Sequence, residues 1–197
     1  PKTISLNDEG YCYIDLTHFS RIEILENDPL LAIFHSLISP TMAENIRSIA
    51  LNDLDTPRTG SAKTLTVKSA STTRSGKVAF LDDQLKVVKK LKSVTAQVTG
   101  LQTESTEASE PIQVVHYGVG GHYEPHFDFF GSVSDDDRVA TMLFYLTEDF
   151  LGGSTVFPLL DVKFTPELGS VLFWFNTERN AAKGQALSLH ASCPIIG

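Results

Sequence analysis

The chain has 197 residues and a mass of 21.6 kDa, the size of one domain with at most a small appendage. Its 42% hydrophobic content supports a packed core and argues against disorder. A net charge of -8 and a pI near 5.2 argue against a nucleic-acid binder, and no apolar run approaches the ~18 residues of a membrane span.

Pro1 opens a polar segment with no secretory signal, so the sequence reads as a fragment or a processed piece and leaves targeting open. Two cysteines, Cys12 and Cys193, are too few for a disulfide scaffold and leave the redox compartment open as well.

Residues 1–20 read as an extended arm and 21–197 as the domain. Leu30 to Phe34 is an apolar run after Pro29, expected to be a buried strand. Ser39-Pro40 is a helix start, with Ser39 as the cap, and Ile46, Ile49 and Ala50 continue it to about Asn52. Residues 53–62 form a turn region, and Leu65 to Thr73 is expected as an edge strand. A second helix is expected to begin at Asp82-Asp83, to carry Leu85, Val88, Leu91, Val94 and Val98 on one stripe, and to end at Gly100. The lysines from Lys86 to Lys92 are read as its solvated face, and residues 102–110 as an exposed polar loop.

After Pro111 the texture changes to short strands divided by glycine turns: Ile112–Tyr117, His122–Phe129, Arg138–Leu146, Ser154–Phe157, Val171–Asn176 and Leu187–Cys193. That spacing predicts a barrel or jelly roll, mostly β in an α+β setting, with the preceding helices packed on the outside of one sheet. The acidic segment Ser134–Asp137 reads as a loop without the ligand spacing of an EF-hand.

Tyr117 to Phe130, YGVGGHYEPHFDFF, carries the chemistry. On a strand, His126 and Asp128 share one face and Phe127 takes the other. One imidazole and one carboxylate need a further histidine to complete the facial set that holds Fe(II) with open positions, and His190 is the candidate. The bare His-x-Asp pattern is weak, because it occurs by chance and a strand histidine is often only hydrogen-bonded. Gly118, Gly120 and Gly121 would let the backbone turn sharply before this strand. A zinc site of His126, His190 and Cys193 is the alternative, less attractive because it omits Asp128. Neither a nucleophile elbow nor a dinucleotide fingerprint is present, and Trp174 reads as core.

Five ordered blocks, YGVGGHYEPHFDF, RVATMLFYL, GGSTVFP, GSVLFWFN and SLHASCP, resemble the catalytic domain of prolyl 4-hydroxylases, closest to the α subunit of the animal collagen type. The resemblance is dense over residues 111–197 and weaker from Arg21. It implies a double-stranded β-helix dioxygenase of the jelly-roll, cupin-like kind, using Fe(II), 2-oxoglutarate and O2, with L-ascorbate as reductant. By the same resemblance, His126, Asp128 and His190 are the iron ligands, Tyr117 and Thr155 contact 2-oxoglutarate, and Tyr123 and Arg138 line the peptide groove. Tyr117, Thr155 and Arg138 have ordinary structural alternatives: a core ring with a satisfied hydroxyl, a plain strand residue and a surface cation beside Asp135–Asp137.

The family anchors the far carboxylate of 2-oxoglutarate with a lysine ten positions beyond the second histidine. Here that falls past Gly197, together with the family's last strands, so the C-terminal strands are expected to be truncated. The resemblance further implies hydroxylation of proline in collagen-like or other Pro-rich peptides with release of succinate and CO2. It also implies a protein disulfide isomerase partner subunit for the full-length protein and residence in the endoplasmic reticulum lumen. Two other readings are a related 2-oxoglutarate hydroxylase with another substrate, and a non-catalytic Pro-rich peptide-binding module. The residue at the missing lysine position would separate enzyme from binding module.

Overall fold

A computed structural model describes residues 5–7, 10–14, 19–54, 74–105, 108–130, 137–178 and 183–197. In chain order the strands are β1 (Ser5–Asn7), β2 (Gly10–Ile14), β3 (Phe19–Asn27), β4 (Leu30–Phe34), β5 (Arg74–Ser75), β6 (Lys77–Phe80), β7 (Gln113–His116), β8 (His122–His126), β9 (Ala140–Phe144), β10 (Thr155–Phe157), β11 (Val162–Phe164), β12 (Val171–Phe175) and β13 (His190–Ser192). Helix α1 (Pro40–Ala50) follows β4, and helix α2 (Lys86–Thr99) lies between β6 and β7.

Two sheets face each other. The larger has the order β1-β2-β3-β4-β12-β9 and the smaller β11-β10-β13-β8-β5; β6 and β7 form a separate pair. Residues expected as an extended arm thus contribute β1 and β2, which continue the larger sheet beyond β3.

The sequence of β12, VLFWF, explains its central place. Val171 to Trp174 are all buried, so both faces of the strand are covered. Leu172 and Trp174 join Leu31, Ile33, Tyr145, Phe157 and Phe164 in the core between the sheets. Val171 and Phe173 join Phe34 on the opposite face, where Val98 and Leu101 from α2 and its exit cover them. The helices therefore lie outside the larger sheet, as the element order predicts.

Helix α1 starts as its sequence requires: the Ser39 hydroxyl accepts from the Met42 N–H at 3.2 Å, a cap that contributes about 1 kcal/mol. Ala43, Ile46 and Ala50 are its buried stripe. Helix α2 ends at Gly100, whose φ of 73° is the left-handed conformation that glycine adopts without steric cost. Its start differs from expectation. Asp82 accepts from the Gln84 N–H at 2.8 Å and its carbonyl accepts from Leu85 N–H, so residues 82–85 are a turn and the helix begins at Lys86. Lys92 also departs from the solvated face assigned to it. It is buried and pairs with Asp83 at 2.8 Å, which ties the helix to its own entry turn.

The edge strand expected at Leu65–Thr73, most of the turn region at 53–62 and Ser134 to Asp136 lie outside the described residues. Among the described residues no helix is long and apolar enough to cross a membrane.

Candidate active site

Strands β8 and β13 of the smaller sheet are antiparallel neighbours, and their register places His126 directly opposite His190. The ring centroids are 4.3 Å apart. Strand β8 stops at His126, earlier than the sequence suggests, because β13 begins only at His190 and the 3-10 turn Ala186–Ser188 before it offers no ladder. Asp128 therefore reaches the site from a bend just past the strand, not from strand alternation. The Arg138 guanidinium donates to its backbone carbonyl at 3.3 Å.

The three side chains converge. His126 Nε2 lies 3.6 Å from Asp128 Oδ1, His190 Nε2 lies 3.7 Å from Asp128 Oδ2, and one ligand atom from each of the three lies within 4.8 Å of the others. Each imidazole is oriented in the same way. His126 Nδ1–H donates to the Glu124 carbonyl at 2.8 Å, and His190 Nδ1–H donates to the Ser188 carbonyl at 2.9 Å. A carbonyl can only accept, so each Nδ1 carries the proton and each Nε2 presents its lone pair to the centre. Burial, followed by the neighbouring His190, holds the His126 pKa down at about 4. Its imidazole is thus neutral at physiological pH, the form that ligates a metal. Two imidazoles and a carboxylate on one side of a point fit a divalent first-row ion with the remaining positions open. Cys193 is not in this group, so the zinc alternative is not the set the fold assembles.

The surroundings are aromatic. Tyr123 stacks on His126 with centroids 3.5 Å apart and planes 19° apart, and the Arg74 guanidinium lies over the Tyr123 ring, 4.9 Å from its centroid. Trp174 meets His190 at 4.7 Å and Phe157 edge-on at 5.3 Å, so this core residue is also a wall of the site.

Tyr117 follows β7 and is half-buried. Burial raises its hydroxyl pKa, and a bond from Arg74 opposes the rise. The turn that carries it to β8 uses Gly120 at φ 79° and Gly121, where a Cβ would lie 2.7 Å from the Gly118 carbonyl oxygen. This turn is pinned to the C-terminal segment, since Gly120 N–H donates to Ile195 and Ile195 N–H donates to Gly121.

Thr155 is buried on β10, next to β13, and accepts from the Tyr145 hydroxyl at 2.8 Å. Burial pushes the Tyr145 phenol well above the usual tyrosine range, so it stays a neutral donor. Arg138 forks onto Glu110, with the outer pair at 2.9 Å, and lies 4.7 Å from the Phe130 ring centroid. Phe127 and Phe130 are 41% and 51% exposed beside the three convergent side chains, a placement that invites an apolar partner.

Arg74, Glu110, Thr141, Tyr145 and Asn176 belong to this neighbourhood and are not evident from motif reading. Period-two alternation does place Thr141, Leu143 and Tyr145 of the RVATMLFYL segment on one face, and Leu172, Trp174 and Asn176 on another inward face. Arg74 and Glu110 reach the site through tertiary packing alone, from segments with no distinctive local pattern.

Comparison with known proteins agrees with this geometry. Residues 112–197 match the family described as the 2OG-Fe(II) oxygenase superfamily. The chain is 34% identical over 184 residues to prolyl 4-hydroxylase subunit alpha-2 of Caenorhabditis elegans, covering 89% of this chain and 33% of that protein. It is 36% identical over 186 residues to prolyl 4-hydroxylase subunit alpha-3 of Homo sapiens, with the same coverages of 89% and 33%. It thus spans about a third of the length of these relatives.

Among solved structures, the viral collagen prolyl hydroxylase of Paramecium Bursaria Chlorella virus-1 in its 2OG complex is similar with a TM-score of 0.63 and 22% identity, over 85% of this chain and 89% of that one. The prolyl hydroxylase of Trichoplax adhaerens, in complex with a hypoxia inducible factor peptide fragment, has a TM-score of 0.60 and 16% identity, over 85% and 78%. These structural likenesses establish the fold. The fold is the double-stranded β-helix, residues 112–197 are similar to the 2OG-Fe(II) oxygenase superfamily, and the chain is similar over most of its length to part of the alpha subunits of prolyl 4-hydroxylases.

Proposed function

We propose that this protein is a peptidyl-proline 4-dioxygenase, with His126, Asp128 and His190 as its Fe(II) ligands. The observation that carries this reading is the convergence of two Nε2 lone pairs and one carboxylate, each imidazole fixed by a carbonyl behind it. The oxygenase domain and the prolyl 4-hydroxylase relatives support the reaction type. Bound iron supplies the oxidation that couples decarboxylation of 2-oxoglutarate by O2 to insertion of one oxygen atom into a C–H bond, leaving succinate and CO2.

The chain's own residues supply position and environment. The two imidazoles and Asp128 occupy one side of the centre, so cosubstrates approach from the other. Thr155, on β10 beside β13, accepts from the Tyr145 hydroxyl just past β9, which leaves its own hydroxyl proton to donate to an anionic cosubstrate. Tyr117, beside Arg74, offers a second hydroxyl on the β8 side. Trp174, Phe157 and Tyr123 exclude water around the histidines.

The peptide is proposed to lie along Tyr123, Arg138 and the exposed rings of Phe127 and Phe130. A Pro-rich segment in polyproline II form presents flat apolar faces to such rings without a further ordering cost. Collagen-like sequences are one source of such segments, and ascorbate is the proposed reductant for iron oxidised in uncoupled cycles.

Incubation of the full-length protein with Fe(II), 2-oxoglutarate, O2 and a repeating Pro-Pro-Gly peptide tests the proposal by mass spectrometry. The expected result is peptide carrying one added oxygen on proline, with succinate in equal amount. Succinate release with no oxygen on proline, across a panel of Pro-rich peptides, would redirect the reading to another hydroxylase substrate.

A further inference from the structure

Asp128 is not held by the metal site alone. The Thr141 hydroxyl on β9 lies 2.6 Å from Asp128 Oδ2, and Asn176 Nδ2, at the end of β12, lies 2.8 Å from Thr141 Oγ1. Asn176 is fully buried, and its backbone is fixed on both sides: its N–H donates to Val139, and its carbonyl accepts from Gln185 N–H.

The donor and acceptor roles in this chain are forced. A carboxylate that ligates a metal is ionised and can only accept, so the contact with Oδ2 requires the single Thr141 proton. The Thr141 oxygen is then left with lone pairs only and needs a donor behind it. Asn176 Nδ2 is that donor. Flipping the Asn176 amide would set its carbonyl oxygen against the Thr141 lone pairs and compete for the same proton. The length of 2.6 Å is that of a charge-assisted O–H···O⁻ bond.

We propose that Asn176 and Thr141 form a one-way hydrogen-bond relay that holds Asp128 as a single-oxygen ligand. Thr141 engages Oδ2, which leaves Oδ1 with both lone pairs for the ion. The carboxylate is thereby kept from closing on the metal with both oxygens, so the positions needed by cosubstrates stay open. Both are positioning residues and neither touches the ion. The inference rests on the iron assignment made above. It also accounts for a buried asparagine whose Oδ1 has no hydrogen-bond partner among the described residues. That orphaned atom has a cost, and the cost is offset if the amide's purpose is the Nδ2 end of the side chain.

The test is calorimetric titration of oxygen-free, full-length apoprotein with Fe(II) alone, with no turnover involved. Thr141→Val keeps the shape and removes the proton, and is expected to weaken Fe(II) binding by about 10- to 100-fold, the range for outer-sphere partners of metal ligands. Thr141→Ser restores the hydroxyl and is expected to restore wild-type affinity, which a merely space-filling role would not predict. Asn176→Leu removes the donor at similar volume and is expected to weaken binding less than Thr141→Val. The double variant should bind no more weakly than Thr141→Val alone, because both act through one bond.

Wild-type affinity in both Thr141→Val and Asn176→Leu overturns the relay. Absence of Fe(II) binding in the wild type overturns the iron assignment instead. If Thr141→Val does not fold, the Thr141→Ser and Asn176→Leu titrations decide: wild-type affinity in Asn176→Leu, or lost affinity in Thr141→Ser, counts against the relay.

Discussion

Tyr145 shows how one side chain can be both structural and functional. Its ring packs 5.1 Å from Phe164 between the sheets, while its hydroxyl is spent on Thr155. Burial raises its pKa above the ordinary value of 10.0. In the unfolded chain the phenol ionises near that ordinary value, so above it unfolding releases a proton. The contribution of Tyr145 is therefore complete below pH 10.0 and is lost as pH rises toward the folded value. Urea midpoints measured on both sides of that pH should fall with rising pH in the wild type and fall less steeply in Tyr145→Phe. Equal slopes would mean that the phenol is not protected by the fold.

At the scale of elements, β12 carries both the core and the site. Trp174 is 2% exposed, pairs across the sheet with Leu31 on one side and Thr141 on the other, and meets His190 with its ring. Trp174→Ala should destabilise by about 3–5 kcal/mol, the usual range for removing a buried aromatic. It should also weaken metal binding, because His190 loses the wall it rests on. Denaturant unfolding with and without Fe(II) separates the two effects. A stability loss with unchanged metal stabilisation would assign Trp174 to the core alone.

Much of this element-level order is visible in the sequence, for identifiable reasons. The run Leu30–Phe34 and the run VLFWF are apolar throughout because both of their faces are buried, and they lie next to each other in the sheet. Ser39-Pro40 and Gly100 mark helix ends through local chemistry that does not depend on tertiary contacts. What local pattern does not reveal is long-range or competing. Strand β6 is four residues long, and its partner β7 lies beyond an intervening helix. The start of α2 is displaced because Asp82 forms a turn with its own backbone instead of capping a helix. Strand β8 ends early because its neighbour in the sheet begins only at His190.

At the scale of the whole molecule, the fold brings together what the chain keeps apart. His126 and Asp128 come from one end of β8, His190 from β13 in the same sheet, and the Thr141–Asn176 relay from the facing sheet. The pattern of residue types identified the three convergent side chains, because their chemistry restricts which residues can serve. It did not identify the residues behind them, since a threonine and an asparagine in strands have many ordinary uses. Glu110 is a similar case: its ion pair with Arg138 joins the loop before β7 to the backbone of Asp128. The site thus depends on both sheets being docked, and the stability of the core and the geometry of the centre are one property.

The most direct test of the account is succinate release by the full-length protein supplied with Fe(II), 2-oxoglutarate and a Pro-rich peptide, compared between wild type and Asp128→Ala. Removing the one carboxylate leaves two imidazoles, which should hold Fe(II) too weakly for turnover. The predicted result is peptide-dependent succinate in the wild type and none above background in Asp128→Ala, with both proteins folded. Equal succinate release from the two would contradict the assignment of Asp128, and with it the centre formed by His126, Asp128 and His190.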